Sequence, residues 1–339
     1  MTRTQFLKSQ GFTVALIGAV LAAIAIPDLG IKGGPLRTET TTKIAVALIF
    51  LIQGLSFPSR QIAESAAKLR LHIFNQLCIF VAAPLLMLGF LVIVGNWMHP
   101  GIRSGFIYLA VLPTTISSAI VMTSNSDGDS TSALFSTTLS NILGVFITPL
   151  LCTRLLDSAA NEAVSLSALI GKLALLVLLP IILGQVMRPF VREWAHNSKN
   201  LFKRLSNSFI VFVVYAAFCN SVKNGIWTEV GPPEIGVTLA IATVYLLFLS
   251  ALVWFTSPIV AKDRSERIAI FFCGSQKTLA AGVTMASVIF AHYHGEASVL
   301  HGLIILPLMC YHPLQLLLAG AISPYFAKAQ NKASSTNAV

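Results

Sequence analysis

The sequence predicts an all-α integral membrane protein of about ten transmembrane helices. Three observations carry that reading. Apolar runs of about 20 residues, each long enough to cross a hydrocarbon core as a helix, recur from end to end. Only 11% of the 339 residues are charged while 55% are hydrophobic, against about 25% charged in soluble domains, so a water-soluble fold is excluded. The lysines and arginines crowd into alternate loops, as they do where loops stay in the cytoplasm.

Taken in order, the apolar runs place helices near 12–30, 42–58, 72–95, 104–123, 130–153, 165–187, 207–222, 235–260, 268–291 and 299–323. The first follows Arg3 and Lys8 as a signal peptide would, but its length and the spans that follow at once make it a membrane helix. With the N-terminus inside, the cytoplasmic segments hold Arg3, Lys8, Arg60, Lys68, Arg70, Arg188, Arg192, Lys199, Lys203, Arg204, Lys262, Arg264, Arg267, Lys328 and Lys332, about twice the number on the other side. Both termini are therefore expected in the cytoplasm of a cell whose inner membrane holds this multi-pass chain. The net charge of +10 is this topology signal and not a nucleic-acid footprint. All five cysteines fall within predicted spans, which leaves no disulfide framework and no metal spacing.

Two spans, the fourth and the ninth, are interrupted by polar and small residues. In the fourth the run is Pro113-Thr114-Thr115-Ile116-Ser117-Ser118 and on to Thr123-Ser124-Asn125. In the ninth it is Cys273-Gly274-Ser275-Gln276-Lys277-Thr278-Leu279-Ala280-Ala281-Gly282. Each is the fourth member of a set of five, which suggests two inverted five-helix repeats, approximately 12–155 and 165–323, within one membrane domain spanning 1–339. Inverted repeats with paired broken helices are a pattern of secondary transporters. Unwound backbone at membrane depth is tolerated only where protein or a water-filled cavity satisfies it, so two facing breaks imply a polar site near the midplane.

On these segments, with Asp127-Gly128-Asp129, Thr137-Thr138 and the looser Asn75-Gln76, the chain resembles the bile acid:sodium symporter superfamily. The match is to its bacterial SBF-like branch, related to the seventh member of vertebrate solute carrier family 10, and it covers essentially the entire chain. The resemblance implies a core and a panel domain, broken helices crossing at the fourth and ninth spans, substrate in the cleft between the domains, and alternating access. In sodium-coupled relatives, carboxylate, amide and hydroxyl groups at the crossing hold two sodium ions. By motif position Ser117, Ser118, Thr137 or Thr138, and Gln276 could supply such oxygens here, Ser118, Thr138 and Gln276 being the candidate sodium ligands of a metal that is otherwise unknown, with Gln76 a looser match. Thr115, Ser275 and Asn75 complete the candidate set. The family's acidic position falls on Phe272, and no carboxylate lies deep in any predicted span, so the sodium sites lack their acid.

Lys277 is the only basic residue deep in a span. An ammonium at the bilayer centre costs roughly 2.5–3.5 kcal/mol on insertion scales, and it therefore faces a polar cavity or a partner. One reading makes it a tethered cation in the place of a coupling ion, bonded by Ser117, Ser118, Thr138 and the freed carbonyls of the broken fourth helix. A buried lysine could also release and regain a proton each cycle, which would make transport proton-linked. The other reading is a fixed positive charge that pairs with an anionic substrate. Gln276 could ligate a cation, orient a carboxylate, or serve as interhelical glue.

Asp127 and Asp129 read as a solvated cytoplasmic loop sooner than a site, with a gate as their functional role. Gln53 and Asn75 could line the cleft. His312, ahead of Pro313, reads as a buried histidine at a kink, and His292 and His294 sit at a span end without metal-ligand spacing. Enzyme chemistry finds no HExxH, no GxSxG and no paired intramembrane aspartates. The function expected is secondary transport of a small organic anion across the lipid bilayer by alternating access, with Lys277 as a tethered cation in place of a sodium ion and a proton link left open, and with no cofactor beyond a coupling sodium ion or proton. Its alternatives are a sodium-coupled organic anion symporter and a non-transporting membrane sensor. Oligomeric state is not legible.

Overall fold

The computed structural model describes residues 3–31, 33–56, 68–156, 171, 174–223, 231–290 and 301–336, and every regular element among them is helical. The helices are α1 (Arg3–Ala25), α2 (Thr38–Ser56), α3 (Leu69–Leu77), α4 (Ala83–Val94), α5 (Pro100–Val111), α6 (Ser117–Asn125), α7 (Ser130–Leu155), α8 (Leu179–Met187), α9 (Arg192–Asn197), α10 (Lys199–Lys223), α11 (Pro232–Thr256), α12 (Arg264–Ser275), α13 (Leu279–Ile289) and α14 (His301–Thr336). Among the described residues six stretches are long and apolar enough to cross a membrane: Leu69–Trp97, Ser130–Leu155, Asn200–Asn220, Pro232–Ile259, Arg264–Ile289 and Gly302–Ala327. Val14–Ala25 and Leu175–Met187 are shorter apolar helices. His292, His294 and the first half of the expected sixth span lie outside the described residues.

Several boundaries move from their expected places. Helix α1 begins at Arg3, well before residue 12, and α14 runs on to Thr336 through Pro307, Pro313 and Pro324. Prolines inside a membrane helix are tolerated where neighbouring groups re-satisfy the freed carbonyls. At the polar ends short side chains cap the helices. Asp129 Oδ1 accepts from the N–H groups of Thr131 and Ser132, and Asp263 Oδ1 accepts from that of Glu266. Asp127, at φ 56°, and Gly128 close α6, where Gly128 N–H donates to the Thr123 carbonyl at 2.9 Å. A short acidic residue enters that left-handed conformation more readily than a bulky one.

Helices α1, α2, α8 and α10 pack on one another, α10 lying against both α1 and α2, and α2 against α8. The closest approach is at Gly54 and Gly184, where an added Cβ would fall 2.3 Å from the Ile181 carbonyl oxygen and 2.5 Å from that of Leu51. Small residues allow such backbone contact between membrane helices. A second group joins α3 to α7 with α11 to α14, and α10 reaches it through α13 and α14. Span Arg264–Ile289 is the most enclosed, with 94% buried against 33–61% for the other five. Its polar middle is thereby taken out of lipid, while Leu85, Val92, Ile93 and Phe248 of less enclosed spans stay exposed.

Candidate functional site

The two expected interruptions are real breaks, and they touch. Pro113 has no N–H and forces the residue before it out of the helical region. Helix α5 accordingly stops at Val111, Leu112 is extended, and α6 starts at Ser117. Helix α12 ends at an extended Gln276, and α13 restarts at Leu279 with Thr278 as its cap. The N–H of Thr278 donates to the Pro113 carbonyl at 3.0 Å, joining one break to the other.

Each broken helix leaves carbonyls without their helical donors, and every one of these must be paired in a dry interior. Val111 O accepts from Thr148 Oγ1 at 2.9 Å and Thr114 O from Asn141 Nδ2 at 2.9 Å. The carbonyls of Ala110 and Leu112 accept from Lys277 Nζ, at 2.7 and 2.9 Å. The third acceptor of Nζ is Ile79 O at 2.9 Å. Its availability also follows from a proline. Cys78–Ala82 is a π-turn between α3 and α4, Ala83 N–H already bonds the Cys78 carbonyl, and the next residue, Pro84, has no hydrogen to offer Ile79.

Lys277 is fully buried. An ammonium has three donors and no acceptor, and three main-chain carbonyls take all of them. This revises the expected bonding of the site. The carbonyls of the broken fourth span are partners as expected, but Ser117, Ser118 and Thr138 are not. Ser117 is exposed at the start of α6. Ser118 Oγ lies 2.8 Å from Gln276 Oε1 and 3.2 Å from Thr115 Oγ1. Thr137 and Thr138 both turn onto their own helix at Leu134 O, and Ser275 Oγ likewise bonds Phe271 O. β-Branched and small hydroxyl side chains find that i−3 or i−4 carbonyl without any tertiary partner.

The other side of the crossing is held by residues that sequence reasoning did not single out. Gln315 brackets the Lys277 peptide, Oε1 accepting from its N–H and Nε2 donating to its carbonyl, both at 2.8 Å. Tyr311 donates to the Ser275 carbonyl and Tyr108 to that of Gly282. His312 is buried with its Nδ1 2.9 Å from Gln315 Nε2, so it is a satisfied core histidine as read. Asn75 and Gln76 both bond Ser136, the first at Oγ and the second at the carbonyl. The Pro84 and Pro113 positions were the sequence signals that could have exposed Ile79, Ala110 and Leu112.

Sodium can be tested against the oxygens present. Among the expected set, Gln276 Oε1 is engaged by Ser118, and Thr138 is engaged within α7. Among the described residues five buried side-chain oxygens have no partner, Ser250 Oγ and a group of four: Asn75 Oδ1, Gln76 Oε1, Thr114 Oγ1 and Asn141 Oδ1. Their amides and main chain bond along Ser136–Asn141 of α7. All four are neutral, and among the described residues no carboxylate bonds to them.

At the end of the bundle where α3, α7 and α12 begin, Lys68 Nζ lies 2.7 Å from both Asp129 and Glu266. Asp129 is thus drawn into an ion-pair cluster that also includes a main-chain bond to Ser265, and it is not a free loop acid. Burial pulls the Lys68 ammonium toward neutrality, but its bonds and charges with the two acids outweigh that and hold its pKa above the ordinary value. Burial alone would raise Asp129, and Lys68 with Ser132 brings it below the usual carboxylate value instead.

A fully buried cation set between two helix breaks, in an all-helical chain with several membrane-length spans, defines a multi-pass membrane protein of the transporter class. The SBF-like CPA transporter family matches residues 10–328, and this chain belongs to that family. It is 34% identical over 335 residues to an uncharacterized protein of Pseudomonas aeruginosa, covering 98% of this chain and 97% of that one. It is 30% identical over 325 residues to sodium/bile acid cotransporter 7 of Mus musculus, covering 94% and 92%. Against sodium/bile acid cotransporter 7 of Xenopus tropicalis the identity is 28% over 328 residues, with 94% and 92% covered. The family is one of transporters and not of enzymes.

Proposed function

We propose that the protein is a secondary transporter of a small organic anion, working by alternating access, in which the Lys277 ammonium stands where a coupling sodium ion would otherwise bind. The observation that supports this is the cage itself, in which Ile79, Ala110 and Leu112 offer three carbonyl oxygens at 2.7–2.9 Å to one positive charge. Main-chain carbonyls at such distances are what a desolvated monovalent cation accepts in place of water. A cation on a side chain needs no ion from solution. With all three donors spent on carbonyls, the ammonium is not free to pair with a substrate, which favours the tethered-cation reading over the fixed-charge one. Substrate recognition then falls to the Thr115–Ser118–Gln276 group and the exposed Ser117 beside it. In this reading the two five-helix halves are inverted repeats, and the α1, α2, α8 and α10 group is the panel against which the rest moves.

Melting temperature in sodium against potassium over a pH range, for wild type and Lys277→Met, tests the coupling without any known substrate, because an ion bound by the folded state stabilises it. Under this proposal sodium and potassium give the same curve for wild type. A pH dependence that vanishes in Lys277→Met adds that the cycle is proton-linked. Sodium-specific stabilisation of wild type would sink the proposal.

Sodium-coupled symport is the second reading, favoured by the four unpaired oxygens of Asn75, Gln76, Thr114 and Asn141 and by the relatives named as sodium/bile acid cotransporters. Asn141→Leu would then abolish any sodium effect. Counterflow of labelled carboxylates in liposomes separates both carriers from a non-transporting sensor, which binds without exchange.

A further inference from the structure

At the end of the bundle where α11 finishes and α12 begins, Trp254 and Phe326 stack with centroids 4.8 Å apart and planes 16° apart. An arginine stands over each ring. Arg267 Cζ is 4.4 Å from the Trp254 centroid and Arg264 Cζ is 5.8 Å from that of Phe326. Arg267 also makes long contacts, at 3.4 and 3.5 Å, to Ser257 Oγ and the Trp254 carbonyl. Among the described residues neither guanidinium has an ion pair, and Arg264 Nε is a buried donor with no acceptor.

The acids in the same turn are committed elsewhere. Asp263 caps Glu266 N–H and accepts from Ser265 Oγ, and its pKa is lowered by that capping bond first of all. Glu266 accepts from Lys68 and from the N–H of Lys262. The two arginines and the exposed Lys262 therefore leave positive charge in excess on this rim. Beside them Phe255, Ile259 and Tyr325 are 77%, 76% and 75% exposed. Exposed aromatic and aliphatic side chains next to basic ones, at the ends of spans, mark the boundary between headgroups and acyl chains.

We propose that Arg264 and Arg267, each over one ring of the stacked Trp254–Phe326 pair, form a seat for the phosphate of an anionic phospholipid in the leaflet on the side of the basic loops. The guanidinium fork matches phosphate oxygens. The exposed Phe255, Ile259 and Tyr325 commit the occupant to a lipid, since a soluble phosphate has no chains to lay against them. Helix α12 runs from this seat to the break that carries Lys277, so the headgroup braces the helix that holds the ammonium. The inference stands independently of substrate and coupling ion.

The test measures lipid retained by the protein in native mass spectrometry, and melting temperature in nanodiscs, with phosphatidylglycerol against phosphatidylcholine. Wild type should retain phosphatidylglycerol in severalfold preference and melt several degrees higher in it. The double variant R264Q/R267Q should lose both effects, R264K/R267K should lose most of the preference because an ammonium offers no fork, and K203Q/R204Q, on α10 among the other basic residues, should leave it intact. Should the double variant fail to fold, R264Q alone carries the test, because that guanidinium contributes one ring contact. Equal behaviour of wild type in the two lipids, or an equal loss in K203Q/R204Q, overturns the seat. Full stabilisation by glycerol 3-phosphate in phosphatidylcholine discs overturns the lipid source.

Discussion

The amide of Gln315 closes both main-chain groups of Lys277, accepting from its N–H and donating to its carbonyl at 2.8 Å each, across 38 positions of sequence. A peptide that has left the helical ladder of α12 is re-paired by one side chain of α14. Gln315→Leu should leave two buried main-chain groups unpaired and cost about 2–4 kcal/mol, at roughly 1–3 kcal/mol each with partial relaxation. Gln315→Glu, which as a carboxylate keeps the acceptor and loses the donor, should fall between. Melting in detergent checks this, and equal stability of Leu and wild type would show that the bracket contributes nothing.

The ammonium cage makes a chemical-rescue experiment possible. Lys277→Ala removes the donor from three buried carbonyls and should lower stability by several kcal/mol, each bond to a charged group being worth about 1.5–3 kcal/mol. Propylammonium or butylammonium should restore melting temperature in a saturable way, while the same concentration of tetramethylammonium, which has no N–H, should not. Lys277→Arg should not restore wild-type stability, because a planar five-donor fork does not match three converging carbonyls. Rescue by tetramethylammonium would argue for a plain ionic-strength effect.

The Lys68–Asp129 pair predicts a definite pH signature. Asp129 has a folded pKa below its ordinary 3.8, so its contribution is present above that value and is lost as pH falls through the folded value. Lys68 is raised above its ordinary 10.5, so its contribution is present below that value and is lost as pH rises through the folded one. Across pH 6–9 the stability difference between wild type and Asp129→Asn should therefore stay constant, and it should shrink only in acid below about pH 4 or in strong alkali. The Lys68 side chain is 44% exposed, which keeps the pair on the order of 1 kcal/mol. A difference that drifts between pH 6 and 9 would assign the effect to another group.

Close backbone contact between α2 and α8 separates two kinds of glycine. Gly54→Ala and Gly184→Ala place a methyl against a main-chain oxygen and should destabilise by more than 1 kcal/mol. Gly89→Ala and Gly236→Ala meet open space and should be neutral or slightly stabilising, as alanine is the better helix former. Thermal melting of the four single variants decides it. Equal losses at all four positions would refute the contact.

What the chain determined by itself is what depends on local composition. Apolar runs set the all-helical class, though six of the ten expected spans are membrane-length among the described residues; Pro113 and the Gly274–Thr278 stretch marked both breaks, and Lys277 stood out because no other cation lay so deep. The partners of that cation were not legible. Its acceptors at Ile79, Ala110 and Leu112 are backbone oxygens, which every residue carries, so no side-chain letter announces them. Hydroxyl-rich positions drew attention to Ser117, Ser118 and Thr138, yet a hydroxyl satisfied on its own helix looks the same in sequence as one aimed at a ligand. Gln315 and Tyr311 became part of the break only because α14 packs against it. Tertiary structure decided which carbonyls were left without a donor, and in an interior without water that shortage determines where a buried charge comes to rest.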